Sequence, residues 1–269
     1  MESANSSDLE VCAAPVLAAR QLREQIWTRA FGAILTSATL TALGSFGRIM
    51  LRAGLPDDAI YCSVPSPFDY AGRAVLHVPH LTSNPGDPAA HTNEVVSWLE
   101  AHLDLAESSL VLFASRKQMR EVYERVMLEL RDRILLQDLF AKQELLRIHR
   151  ERRDTGEGSV IFGLASFAEG IDLPGDYCRH VVIAKLPFAV PDDPVEAALA
   201  EWIEARGGNA FMEISVPDAA LRLVQASGRL LRTEEDTGRI SLLDRRVVTK
   251  AYGRKILDSL PPYRRQIDA

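Results

Sequence analysis

The chain has 269 residues and a net charge of −6, with 47% hydrophobic and 25% charged residues. This composition is typical of a globular protein and excludes collagen-like, disordered and disulfide-rich chains. The longest apolar runs fall far short of the roughly 20 residues that cross a bilayer, so no membrane contact is expected. The first ten residues are polar and acidic, unlike a signal peptide, which predicts a cytoplasmic location.

Residues 1–70 are irregular and are interpreted as a lead-in to a main domain at 71–269. The lead-in contains a predicted helix at 16–31, an apolar run at 32–40 and a connector rich in Pro and Asp. From residue 74 onward, short apolar runs alternate with longer amphipathic segments. This alternation predicts an α/β fold with a parallel sheet sandwiched by helices.

The predicted elements follow each other in regular order. Strands are predicted at 74–79, 109–115, 134–137, 159–165, 180–186 and 239–244. Helices are predicted at 91–105, 116–131, 138–153, 193–206, 217–232 and 249–260. Because ligands tend to bind at the carboxyl ends of parallel strands, polar residues that directly follow a strand are the first candidates for a site.

The octet "QASGRLLR" at 225–232 combines polar and apolar residues in a helical pattern. On one continuous helix its polar members share a face, with leucines opposite: Gln225, Gly228, Arg229 and Arg232. An ordinary amphipathic helix with two solvated arginines explains the same pattern. Paired arginines on a rigid face also suit a phosphate chain, because guanidinium groups stay charged and donate hydrogen bonds in a fixed fork.

A second candidate stretch, "SFAEGIDLPG", follows the strand predicted at 159–165. Glu169, Gly170 and Asp172 form a turn there whose acids can accept hydrogen bonds from a ribose hydroxyl. Ser166 and exposed backbone N–H groups can meet a phosphate. A structural loop that caps a helix is the alternative interpretation.

Two further stretches carry hydroxyl and basic side chains. Ser115, Arg116 and Lys117 open a helix, where phosphates often bind but where serine also caps for structural reasons. A hydroxyl cluster closes the apolar run of the lead-in, and capping alone can explain it. Its members are Thr36, Ser37, Ala38 and Thr39. Basic clusters at 147–153 and 239–265 are interpreted as solvated faces unless other nucleic-acid signals share them.

Taken in order, these four stretches resemble the motifs of the second motor domain of DinG-type, XPD-related superfamily-two DNA helicases. The resemblance runs from motif III at 36–39 through IV at 110–115 and V at 166–175 to the Q-x-x-G-R-x-x-R of motif VI at 225–232. The pieces at 66–68 and 244–261 also match. The resemblance covers residues 31–261 and implies a RecA-like domain.

The resemblance implies a role for each motif. Arg229 and Arg232 would reach the terminal phosphates of ATP, and Gln225 would help to hold the domain interface. The turn at 169–172 and Gly228 would line the nucleotide cleft. Ser166 and the turn at 115–117 would contact the DNA backbone, and residues 36–39 would couple nucleotide state to strand movement.

The sequence contains neither a Gly-Lys nor an Asp-Glu dipeptide, and so lacks the phosphate loop and acidic pair that ATP hydrolysis of this kind needs. We therefore expect a C-terminal fragment that hydrolyses no ATP alone. The resemblance implies ATP and Mg²⁺ as cofactors of the longer protein, with an iron–sulfur cluster confined to the first motor domain. It also implies 5′ to 3′ unwinding, and single-stranded, forked and displaced-strand DNA as partners.

Two alternatives remain at this point. "EGIDLP" resembles a nucleotide-sugar-binding stretch of two-domain glycosyltransferases, and a non-enzymatic nucleic-acid-binding module would explain the basic clusters. Three cysteines without a C-x-x-C pair and six histidines without metal-ligand spacing predict no metal site within the chain.

Overall fold

The computed structural model describes residues 13–167, 169–189 and 193–268. Its strands are β1 (Ala74–Val78), β2 (Ser108–Phe113), β3 (Ile134–Leu136), β4 (Ser159–Leu164), β5 (His180–Ile183), β6 (Gly238–Leu242) and β7 (Arg264–Ile267). They form one sheet in the order β3-β4-β2-β5-β6-β1-β7, and every neighbouring pair is parallel. The predicted α/β class and parallel sheet are therefore confirmed.

Helices connect the strands and cover the sheet. The α-helices of the lead-in are α1 (Ala19–Leu22) and α2 (Gly47–Ala53), and α3 (Tyr70–Arg73) lies at its junction with the main domain. Those of the main domain are α4 (Pro88–His102), α5 (Arg116–Arg125), α6 (Leu128–Arg133), α7 (Lys142–Asp154), α8 (Pro194–Glu204), α9 (Val216–Ser227), α10 (Arg246–Thr249) and α11 (Ala251–Asp258). Two π-helical segments, Arg23–Trp27 and Phe211–Ser215, extend α1 and precede α9, and Gly175–Tyr177 forms a 3₁₀ turn.

The central strands are apolar throughout because both faces of the sheet are covered. All six residues of β2 are buried. Alternate side chains of a strand point to opposite faces, so Leu110 and Leu112 join one core while Val111 and Phe113 join the other. The first core is completed by α7, α9 and α11, and the second by α4, α5 and α6.

The six predicted strands are present, and β7 is the one that the sequence analysis missed. All four residues of β7 are exposed. This strand lies at the edge of the sheet and pairs with β1, with Val75 opposite Arg264. Backbone pairing and the polar contacts of Arg265 with α11 hold it, so no apolar pattern indicates it.

Several predicted helices are shorter or broken. The helix predicted at 217–232 is wrong at its end, because α9 stops at Ser227 with Gly228 as its C-cap. Residues 116–131 form two helices with extended backbone at Val126 between them. Lys250 is likewise extended and separates α10 from α11. In the lead-in, the helix predicted at 16–31 covers only Ala19–Trp27, and α2 was not predicted.

The lead-in packs against the main domain through ion pairs. Arg48 pairs with Asp218 of α9, and Arg52 donates two hydrogen bonds to Glu196 of α8 at 2.9 and 3.0 Å. The indole N–H of Trp27 donates to the carbonyl oxygen of Ala53 at 2.7 Å, which attaches the first helical segment to α2. In the part of the chain described, every helix is too short or too polar to span a membrane.

Candidate nucleotide and DNA site

A cavity of about 290 Å³ opens at the carboxyl ends of the central strands. Phe113 and Ala114 line it at the end of β2, Leu164 to Ser166 at the end of β4, and residues 187–189 after β5. Helix α9 and the turn that follows it form the remaining wall. The cavity lies where the strand order led us to expect a ligand site.

Three polar side chains of α9 and its following turn line the cavity: Arg222, Gln225 and Arg229. The sequence analysis missed Arg222. It precedes Gln225 by three residues, which places both on one face of α9, and this spacing is the signal that identifies it. Its guanidinium donates to the carbonyl oxygen of Pro187 at 3.3 Å, so it also fixes the loop after β5.

Arg229 is held at the cavity wall by backbone rather than by a carboxylate. Its Nη1 donates to the carbonyl oxygen of Ile171 at 2.9 Å, and no acid among the described residues lies within salt-bridge distance of it. Burial and the nearby charge of Arg232 lower the pKa of Arg229, while Glu169 and Asp172 oppose that shift. A half-buried guanidinium without an ion-pair partner is suited to an incoming anion.

Arg232 lies outside the lining of the cavity, contrary to the expectation that one helical face would present both arginines. Because α9 ends at Ser227, the chain turns before Arg232 and its Nε donates to Asp172 Oδ1 at 2.7 Å. Both side chains of this ion pair are partly exposed. The structure thus joins motif V and motif VI through a salt bridge at the surface.

The carboxylate of Asp236, which the sequence analysis did not single out, fixes this turn. It accepts hydrogen bonds from the backbone N–H groups of Arg232 at 2.7 Å and Thr233 at 2.8 Å. It also accepts from the Thr233 hydroxyl at 2.8 Å and from the N–H of Gly175 at 2.9 Å. Asp236 is 5% exposed, and it ties the arginine turn to the end of the loop at 166–175.

The acidic turn after β4 is only partly directed at the cavity. Glu169 and Ser166 line it, whereas the carboxylate of Asp172 is engaged by Arg232. Gly170 has a φ of +70°, a left-handed conformation that glycine adopts without strain. Lys142 of α7 donates to the carbonyl oxygen of Glu169 and supports the turn from outside.

The turn at 115–117 lies apart from the cavity. Ser115 caps α5, since its hydroxyl accepts from the backbone N–H of Gln118 at 3.4 Å. Arg116 lies 3.5 Å from Asp138, whereas the exposed Lys117 has no ion pair within the described ranges. The structural interpretation of Ser115 is therefore confirmed, and Lys117 keeps a free charge at this end of the sheet.

The hydroxyl cluster of the lead-in reaches α9. Gln225 Nε2 donates to Thr39 Oγ1 at 3.5 Å, and Ser37 Oγ lies 3.3 Å from the same oxygen. Thr36, Ser37 and Ala38 are exposed. Ala38 and Thr39 also line a second cavity of about 420 Å³ together with the aromatic side chains at 68 and 70. Within residues 36–39, Thr39 thus contacts the motif VI glutamine directly.

The basic cluster at 147–153 serves structural contacts. Arg147 pairs with Glu144 and Glu151 on its own helix. The other arginines donate to backbone carbonyl oxygens of residues 172, 132, 133 and 106. No three His, Cys, Asp or Glu side chains among residues 13–167, 169–189 and 193–268 come together as a metal site would require.

Known proteins resemble this chain in sequence and in fold. The helicase C-terminal domain family matches residues 100–263. DinG ATP-dependent DNA helicases from Photobacterium profundum and Escherichia coli are 41% and 34% identical over 98% and 90% of this chain. The chain spans only 39% and 35% of those relatives. The solved structure "XPD_APO" matches with a TM-score of 0.53 at 19% identity, covering 75% of this chain and 40% of that one, which supports the fold.

These results argue against the glycosyltransferase interpretation, because the matched region includes the whole of "EGIDLP" and the candidate cavity. They also confirm the resemblance on which the motif assignments rest. The chain belongs to the helicase C-terminal domain family, and it is similar in sequence to part of the DinG ATP-dependent DNA helicases.

Proposed function

We propose that the chain acts as the second motor domain of an ATP-dependent DNA helicase and supplies Arg229 to an ATP held by a first, RecA-like motor domain. The observation that carries this proposal is the position of the Arg229 guanidinium. It lines an open cavity at the carboxyl ends of the strands, and a carbonyl oxygen rather than a carboxylate holds it. Family membership supports the motor function.

The chemistry follows from the charge of Arg229. Its guanidinium stabilises negative charge that develops on the transferred phosphoryl group, and such arginines contribute about 10³ to 10⁵ in rate in nucleotide hydrolases. The partial burial of Arg229 strengthens this interaction, because fewer water molecules screen it. Arg232 takes part when the phosphates compete with Asp172 for its N–H groups. Gln225 holds the interface between the motor domains and, through its hydrogen bond to Thr39, couples the nucleotide state to residues 36–39.

The lead-in offers a surface for the first motor domain. Four of its apolar side chains are almost fully exposed, at 80% or more: Phe31, Ile34, Ile60 and Val64. Ile34 and Ile60 line one pocket, and exposed apolar side chains of this kind mark an interaction site. The segment that carries Phe31 and Ile34 leads directly into Thr36–Thr39. Docking of the first motor domain on this surface would bring it next to Gln225.

DNA is proposed to bind on the same edge of the sheet. Lys117 and Arg116 carry the charge for backbone contacts, and Ser166 lies at the cavity. ATP binding draws the two motor domains together and hydrolysis lets them part, which moves a single strand in the 5′ to 3′ direction. Forked and displaced-strand DNA are the expected substrates. Mg²⁺ and an iron–sulfur cluster are assigned to the first motor domain, and a cytoplasmic location remains a prediction.

The test is Arg229→Ala in a polypeptide that carries both motor domains. We expect kcat for DNA-stimulated ATP hydrolysis to fall about 10³-fold or more, because the lost interaction acts in the transition state. Binding of single-stranded DNA should change little. The matched control is Arg147→Ala, which removes an arginine from a surface ion-pair network on α7 and should leave kcat unchanged.

The 269-residue chain alone should hydrolyse no ATP. Hydrolysis by the purified chain that disappears in Arg229→Ala would overturn the proposal. Normal ATP hydrolysis by Arg229→Ala in the two-domain protein would do the same and would favour the non-enzymatic binding module.

A further inference from the structure

The stretch at 244–261 resembles the helicase family but has no role in the function proposed above. The structure shows what its first residues do. The carboxylate of Asp244, which is fully buried, accepts from the N–H of Leu186 at 2.9 Å and pairs with Arg246 at 2.6 Å. It thereby fixes the loop after β5. The guanidinium of Arg246 in turn lies 5.3 Å from the ring centre of Phe188.

Phe188 belongs to a cluster of three rings, which we call the aromatic platform: Phe188, Phe211 and Tyr252. The rings of Phe188 and Phe211 are stacked, with centres 5.5 Å apart and planes at 29°. Tyr252 meets both rings edge to face, at 5.8 and 5.3 Å. Phe211 is 43% exposed, and Phe188 also lines the cavity that contains Arg229. The platform therefore extends the cavity with an exposed aromatic surface.

Gly253 determines where Tyr252 lies. A Cβ atom at Gly253 would lie 2.3 Å from the carbonyl oxygen of Val247 and 2.4 Å from that of Arg246. Only glycine lets α11 approach α10 this closely. The close approach holds Tyr252 against the rings of Phe188 and Phe211, so the segment from Asp244 to Gly253 builds the platform.

Positive charge flanks the platform. Lys250 and Lys255 lie two residues before and three residues after Tyr252, which places Lys255 on the same side of α11. Both lysines are exposed and have no ion-pair partner in the part of the chain that the structure describes. A nucleotide chain fits this surface, because its phosphates carry the opposite charge and its bases are planar.

We propose that the aromatic platform stacks a base of the single-stranded DNA on which the motor acts. Proteins that bind single strands without sequence preference pair a basic groove with aromatic rings, because every base has a π-face. The platform supplies Phe211 as the exposed ring and the two lysines for neighbouring phosphates. This inference rests on the proposed DNA-binding function and adds a site distinct from the turn at 115–117.

The platform is also mechanically linked to the nucleotide site. Phe211 begins the π-helical segment that continues without a break into α9, which carries Arg222 and Gln225. π-Helical turns of this kind are frequent at functional sites. A base stacked on Phe211 and a phosphate at the cavity therefore act on one continuous helical segment.

The test measures binding of the 269-residue chain to two oligonucleotides of about 15 nucleotides, the upper end of typical site sizes. One is oligothymidine, and the other is an abasic strand with the same phosphates. Phe211→Ala should bind oligothymidine about five- to 150-fold more weakly than the parent chain, the range for losing one stacked base. Phe211→Trp should retain binding. Neither variant should change the weaker affinity for the abasic strand.

The matched control is Leu128→Ala, which removes another exposed apolar side chain at 71% exposure. It should bind both strands as the parent chain does. Equal affinity of the parent chain for both strands, with no effect of Phe211→Ala, would overturn the platform while leaving backbone binding intact. Failure to bind either strand would contradict the proposed DNA-binding function as well.

Discussion

Asp236→Ala tests whether one buried carboxylate positions the arginine turn. In the parent chain this carboxylate accepts four hydrogen bonds, from the N–H groups of Arg232, Thr233 and Gly175 and from the Thr233 hydroxyl. Burial raises the pKa of Asp236, but these hydrogen bonds outweigh burial and hold the pKa below its usual value. The residue is therefore ionised in the native state at neutral pH.

The expected loss of stability in Asp236→Ala follows from the number and kind of hydrogen bonds that the carboxylate accepts. A hydrogen bond to a charged group contributes about 1.5–3 kcal/mol, but four on one carboxylate are not additive, and the freed N–H groups lie near water. A buried donor left without an acceptor costs about 1–3 kcal/mol, and several donors lose their acceptor here. We expect Asp236→Ala to lower the free energy of unfolding by about 3 kcal/mol, a large share of the about 5–15 kcal/mol of a typical domain.

The assay is urea unfolding followed by circular dichroism, with the slope against urea concentration checked for each variant. Asp236→Asn should cost about half as much, since its amide nitrogen cannot accept the N–H groups of Arg232 and Thr233. Thr233→Val removes a single side-chain donor and should cost about 1 kcal/mol. A loss below about 0.5 kcal/mol in Asp236→Ala would show that the turn holds its shape without the carboxylate, and the reasoning would fail.

Two further predictions concern buried groups. Burial lowers the pKa of His149 to about 4 and the pKa of His180 to about 3. In the unfolded chain both side chains bind a proton near pH 6.5. The free energy of unfolding therefore falls as the pH drops below 6.5, because the unfolded state takes up protons that the native state does not bind. At pH 5 the free energy of unfolding of the parent chain should be lower by about 4 kcal/mol because of the two histidines, and that of His149→Gln by about 2 kcal/mol. The measurement is urea unfolding at pH 7 and at pH 5. Equal losses in the two proteins would contradict this prediction. Gly253→Ala should lower the free energy of unfolding by about 1–3 kcal/mol, because the new Cβ atom meets the carbonyl oxygen of Val247. The measurement is the midpoint of thermal unfolding, which should fall. Gly32→Ala is the control and should be neutral, because no atom lies within 4 Å of the new Cβ.

The sheet could be predicted from the sequence because its central strands are buried on both faces. A strand such as β2, with six buried residues, has to be apolar along its whole length. The residues of β7 are exposed, and backbone pairing with β1 and the contacts of Arg265 with α11 hold this strand in place. Composition carries no signal for a strand of that kind.

The candidate site shows the same division. Helical periodicity correctly places Gln225 and Arg229 on one side, and it also identifies Arg222 once the helix is followed back by one turn. It fails at Arg232, because α9 ends at Ser227 and a turn fixed by the carboxylate of Asp236 redirects the chain. Periodicity describes a helix and contains no information on where tertiary hydrogen bonds end it.

The contacts of the two arginines suggest how the nucleotide state would reach the DNA. Arg229 donates to the carbonyl oxygen of Ile171 and Arg232 to the carboxylate of Asp172, so motif VI is held by two adjacent residues of motif V. Under the proposed function, the phosphates of ATP compete for these same N–H groups. ATP binding therefore weakens the hold on the loop at 166–175, and this loop carries Ser166, which is proposed to contact DNA. The coupling needs no distant pathway, because the group that binds phosphate also restrains the loop that contacts DNA.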